Sequence, residues 1–91
     1  MLSPLVYKIM PTAYILSNCL AGSEERIIKE IAELPEVREV RGTYGVYDIF
    51  VNVKSDTRES LNHTITTKIR KIPGITSTVT MIAIEEQGGK G

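Results

Sequence analysis

The feature that most constrains this chain is an internal echo. Ile31, Leu34, Pro35 and Val37 are followed 38 residues later by Ile69, Ile72, Pro73 and Ile75. Each quartet reads as the last turns of an amphipathic helix, a proline that stops it, and the entry into a strand. A 91-residue chain allows one domain with one modest core. One domain holding two copies of a helix-to-strand unit has few folds open to it.

Around the echo, the hydrophobic period switches between two and 3.6. Thr12 to Cys19 is short and rich in strand formers. After Leu20-Ala21-Gly22, Ser23 is a candidate N-cap before Glu24 and Glu25. Ile27, Ile28, Ile31 and Leu34 then recur at helical spacing. Val37 to Thr43 and Val46 to Val53 form a hairpin through Tyr44-Gly45. Asp56 and Glu59 have capping-box spacing ahead of a second helix, with Leu61, Ile65, Ile69 and Ile72 as its apolar stripe. Ile75 to Ile84 is the last strand. The order is βαββαβ, which predicts an α+β, ferredoxin-like plait: a four-stranded antiparallel sheet with both helices on one face.

The expected domain covers residues 12–86, between an extension at 1–11 and a flexible tail at 87–91 with three glycines. Pro4 and Pro11 interrupt the extension, and Met10 offers a second translation start. No segment reads as a signal peptide or reaches the ~20 apolar residues of a membrane span.

Strand alternation sorts the sheet's faces. Ile49, Val51 and Val53 are expected under the helices. Phe50, Ile82 and Ile84, with threonines and Asp48, are expected on the other face, which no helix covers. Such a patch needs a cover, and the same face of a second copy supplies one, giving a two-fold dimer.

Composition removes several functions. Eleven Lys and Arg balance eleven Asp and Glu, which leaves no surplus cation for a phosphate backbone, so no direct nucleic-acid partner is expected. One Cys and one His cannot build a zinc site or an internal disulfide, which points to the cytoplasm and to no metal or cofactor. His63 falls off the apolar stripe and Cys19 has no base beside it, so no catalytic residues are expected and the chain does not read as an enzyme. Lys68, Arg70 and Lys71 suit the negative end of a helix.

The informative stretch runs from Arg41 to Asp48. Gly42 and Gly45 bracket a turn, and Asp48 places a carboxylate beside Ile49, Phe50 and Val51. That carboxylate needs donors. Turn amides or threonines of a neighbouring strand could supply them, or a ligand's ammonium group could, with turn amides for the ligand's carboxylate. Both readings stand on the residues alone.

Here the chain resembles the effector-binding (RAM) domain of the Lrp/AsnC transcriptional regulators. The resemblance is carried by Gly45-Val46-Tyr47-Asp48, by Val37-Arg38-Glu39-Val40 before it, and by Pro73-Gly74-Ile75-Thr76-Ser77-Thr78-Val79-Thr80-Met81-Ile82. It implies a dimeric α/β-barrel arrangement, assembly into a ring of four dimers, and an amino acid or similar effector bound between dimers. It implies ligand contacts from Gly45, Tyr47, Asp48, Thr78 and Thr80, with Leu20-Ala21-Gly22 of a neighbour nearby. Eleven residues before Thr12 leave no room for the family's helix-turn-helix, so the likeness is to a stand-alone RAM protein that senses amino acids and oligomerises. A ligand-free adaptor for a full-length Lrp-type regulator is the alternative; a small dimeric α/β-barrel enzyme is the remaining rival.

Overall fold

The computed structural model describes residues 10–89. Its elements are β1 (Thr12–Cys19), α1 (Glu24–Ala32), β2 (Val37–Gly42), β3 (Ile49–Lys54), α2 (Arg58–His63), a π-helical continuation, π1 (Thr64–Ile69), and β4 (Ile75–Ile82). The sheet is antiparallel in the order β2-β3-β1-β4. This is the plait that the 38-residue echo implies: each half contributes one central and one edge strand, and β1 and β3 meet in the middle. Most of the extension at 1–11 and the last two residues of the tail lie outside the described residues.

The helices stack on one face because both present a stripe of branched aliphatics. Ile27 and Ile31 from α1, with Leu61, Ile65 and Ile69 from the second helix and Ile72 just after it, close over Ala13, Ile15, Ile49, Val51 and Val53. All are buried. Burying each large side chain is worth about 1.5–3 kcal/mol, so this layer is the main source of stability.

Four local expectations need correction. Ser23 stands at the N-cap of α1, but its backbone is helical and its side chain makes no capping bond; Glu24 Oε1 instead accepts from Gly22 N at 3.0 Å. The cap of α2 is Thr57, one residue after Asp56, with its hydroxyl accepting from Ser60 N at 3.0 Å. The second helix widens into π turns, closed by Arg70 N to Ile65 O at 2.9 Å. There the Thr66 and Thr67 hydroxyls bond back to Asn62 O and His63 O, the back-bonding by which threonines loosen a helix. The third strand begins at Ile49, so residues 43–48 are loop rather than a two-residue turn between longer strands.

The largest correction concerns β4. Its register pairs Ile82, Thr80 and Thr78 with Ala13, Ile15 and Ser17, and those three face the helices. Cross-strand partners share a face, so Thr78, Thr80 and Ile82 lie on the helix side, and Ile82 packs against the core. Ile84 lies beyond the end of β4. The uncovered face carries Tyr14, Leu16, Phe50, Asn52, Val79 and Met81 by the same register. Tyr14 and Phe50 stack with ring centroids 6.1 Å apart, and Val79 and Met81 are exposed. An apolar uncovered face is present, with different β4 residues on it.

Candidate functional site

The β2–β3 loop is built by few bonds. Thr43 N donates to Asp48 O at 2.8 Å, and Thr43 Oγ1 donates to Tyr47 O at 2.7 Å, closing the loop at its base. Gly45 turns the tip with φ +121°, in open space, a conformation that side-chain-bearing residues seldom adopt. Tyr44 and Val46 flank it and project into solvent.

Asp48 ties this loop to the sheet. Its N–H donates to Ser17 O at 2.9 Å, and its Oδ2 accepts from Cys19 N at 3.1 Å. Turned so that its nitrogen faces the loop, the Asn18 side-chain amide donates to Val46 O at 3.0 Å and to Asp48 Oδ2 at 3.3 Å. These bonds fall where the β1–β4 register slips between Asn18 and Cys19. Cys19 also lies beyond the last β1–β3 pair, Ser17 with Ile49, so its N–H has no ladder partner on β3, and the carboxylate receives it. The donors are thus a strand-end amide and Asn18, rather than turn amides or threonines. Gly45, Tyr47 and Asp48 form one unit. Thr43, Tyr44 and Asp48 line a shallow depression with Gly42 and with Glu24 from the first turn of α1.

Thr78 and Thr80 are not part of that unit within one chain. Thr78 pairs with Ser17, whose partner on the other side is Ile49, so β1 lies between the threonine and the start of β3. Two strand spacings are about 10 Å. Thr78 is half-buried and Thr80 is exposed, both on the helix side.

Other candidates resolve plainly. The Cys19 thiol is pushed above its ordinary pKa by burial and then by the carboxylates of Glu24 and Asp48, which keeps it protonated and a weak nucleophile. His63 is exposed at the end of α2. Lys68 is held by Glu36 at 3.0 Å, so one cation of the basic cluster is already engaged. Among the described residues, no three His, Cys, Asp or Glu side chains are grouped to hold a metal, and no helix is long and apolar enough to cross a membrane.

Sequence reasoning missed Asn18, Glu24 and Glu36. Asn18 has a usable signal, an amide side chain at the end of a strand that precedes a Gly turn. Glu24 comes beside the β2–β3 loop, and Glu36 meets Lys68, only through the packing of distant segments.

With the geometry in place, comparison with known proteins decides the family. The model of the Lrp/AsnC ligand-binding domain matches residues 12–88. The chain belongs to the Lrp/AsnC family. Among solved structures, the hypothetical protein PHS023 from Pyrococcus horikoshii is 47% identical, with 82% of this chain and 90% of that one covered and a TM-score of 0.79. Escherichia coli AsnC is 26% identical with a TM-score of 0.82, and this chain, covered in full, spans 62% of it. The transcriptional regulator NMB0573 from Neisseria meningitidis, solved as a complex with L-Met, shares the fold at 15% identity, with 98% of this chain and 59% of that one covered and a TM-score of 0.76. No curated protein sequence matches the chain. The match to the family's ligand-binding domain places this chain among regulatory effector-binding modules.

Proposed function

We propose that this Lrp/AsnC-family chain is a non-catalytic amino-acid-sensing module whose assembly state responds to its ligand. The observation that carries the reading is the β2–β3 loop, which lies inside the segment matched to the family's ligand-binding domain, with Gly45 at positive φ and Asp48 bonded to the end of β1. The loop offers turn amides for a carboxylate, and Asp48 with Glu24 gives the depression the negative charge that an ammonium group needs. The solved L-Met complex of the NMB0573 regulator supports an amino acid as the ligand class.

Asp48 has two roles in this reading. It positions the loop through Cys19 N and Asn18, and it faces the ligand. Because β1 separates Thr78 and Thr80 from the loop of the same chain, the five residues serve one ligand only if the threonines come from a neighbouring copy. Binding at such a seam links occupancy to oligomerisation by mass action. The uncovered face of Tyr14, Leu16, Phe50, Val79 and Met81 is the surface we assign to a homodimer, with dimers joining into a ring through their loops.

Titration calorimetry with each of the twenty amino acids tests the ligand class. Saturable heat with one or a few is expected, and it should be absent in Asp48→Ala. Uniformly absent heat in the wild-type protein contradicts the reading.

A further inference from the structure

Asn18 ends the row of side chains that β1 places on the uncovered face, after Tyr14 and Leu16, and it pairs across the ladder with Ser77 of β4. Cross-strand partners share a face, so Ser77 heads the row that continues through Val79 and Met81. Asn18 therefore stands where the ligand loop meets the face assigned to the homodimer. It is half-buried, and Ser77 is exposed.

Its amide reaches both neighbours at once. The nitrogen donates to Val46 O at 3.0 Å and to Asp48 Oδ2 at 3.3 Å. The other branch of the amide lies 3.3 Å from Ser77 Oγ. With the nitrogen turned to the loop that branch is the oxygen, and the Ser77 hydroxyl donates to it. The reverse orientation keeps only the contact with Ser77 and sets the amide oxygen against two acceptors, the Val46 carbonyl and the Asp48 carboxylate. Hydrogen bonding therefore selects the first orientation. In it, one amide spans the arm of the loop that leads from Gly45 into β3.

We infer that Asn18 is a positioning residue for the ligand loop and that Ser77 holds it in its working orientation, so that β4 of the homodimer face governs how Asp48 is presented. Ser77 acts through Asn18 and not on the loop itself. The inference rests on the ligand reading of that loop.

A double-mutant cycle, read by calorimetry with each of the twenty amino acids, compares the wild type with Asn18→Ala, Ser77→Ala and the double variant. Asn18→Ala should weaken binding about tenfold and Ser77→Ala about threefold, as for hydrogen bonds that solvent partly replaces. In the Asn18→Ala background, Ser77→Ala should cost nothing further. Ser77→Thr keeps the hydroxyl and should bind as the wild type does. Additive losses, or an unchanged affinity in Asn18→Ala, overturn the inference. NMR of the ligand-free protein reads the orientation separately: the Asn18 side-chain amide protons should show nuclear Overhauser contacts to residues 46–48, and contacts to Ser77 alone overturn the inference. Absent heat in the wild type contradicts the ligand reading instead, while the NMR contacts still support or overturn the hold of Asn18 on the loop.

Discussion

Replacing Asp48 by alanine tests how the loop is held. The side chain is half-buried and receives Cys19 N at 3.1 Å and the Asn18 amide at 3.3 Å. Hydrogen bonds to a charged acceptor contribute about 1.5–3 kcal/mol when fully buried. Solvent reaches this site and replaces part of each bond, so the two together are worth about 1–2 kcal/mol. For a domain of this size that corresponds to a fall in Tm of roughly 5–15 °C. Asp48→Asn keeps an acceptor oxygen and removes the charge, so it should cost about half as much. Urea unfolding followed by circular dichroism gives both values, at one protein concentration because assembly contributes to apparent stability. Asp48→Ala within ~0.5 kcal/mol of wild type, the range of inert surface changes, would refute the argument that this carboxylate pins the loop to the end of β1.

Further outcomes follow from the same geometry. Lys68 holds the Glu36 carboxyl below its ordinary pKa, so the pair's contribution is present above the unfolded value of 4.5 and fades as pH falls through the lower folded value. Lys68→Met should therefore cost about 1 kcal/mol at pH 7 and nothing once Glu36 is protonated, as read from urea midpoints across pH. Gly74→Ala introduces a Cβ at φ +103°, 2.9 Å from Arg26 Nη2 and 3.1 Å from Ile27 Cδ1, and should destabilise by about 1–3 kcal/mol in the same assay. Gly45→Ala meets open space, so its cost is backbone strain alone, and it should weaken ligand affinity in calorimetry more than it lowers Tm. Val79→Lys combined with Met81→Glu should halve the sedimenting mass of the proposed dimer while leaving far-ultraviolet dichroism unchanged; an unaltered mass would move the interface elsewhere.

The fold was legible because its signals are local and repeated. Proline stops, a period of 3.6 and a period of two each report on a few adjacent residues, and the echo of Pro35 in Pro73 set the topology. The apolar stripe Leu61, Ile65, Ile69 and Ile72 lies in the core as spacing required, although π turns replace α turns beneath it. The faces of β4 were not legible. Thr76, Thr78, Thr80 and Ile82 alternate with Ser77, Val79 and Met81, so hydropathy turns the threonine-rich set outward, the reverse of the observed register. The pairings of Thr78 with Ser17 and Thr80 with Ile15 settle it. The site was legible in part: Gly45 and Asp48 stand out against their neighbours, whereas the free end of β1 at Asn18 and Cys19 that receives Asp48 leaves no mark in composition or spacing.

The central claim is that ligand and assembly are linked. Sedimentation velocity of the wild-type protein, with and without the twenty amino acids pooled at millimolar concentration, measures that link. A shift toward a larger or more populated assembly with the pool present, lost in Asp48→Ala, is the predicted result. An identical mass distribution with and without the pool, across protein concentrations where dimers and larger species exchange, would contradict it.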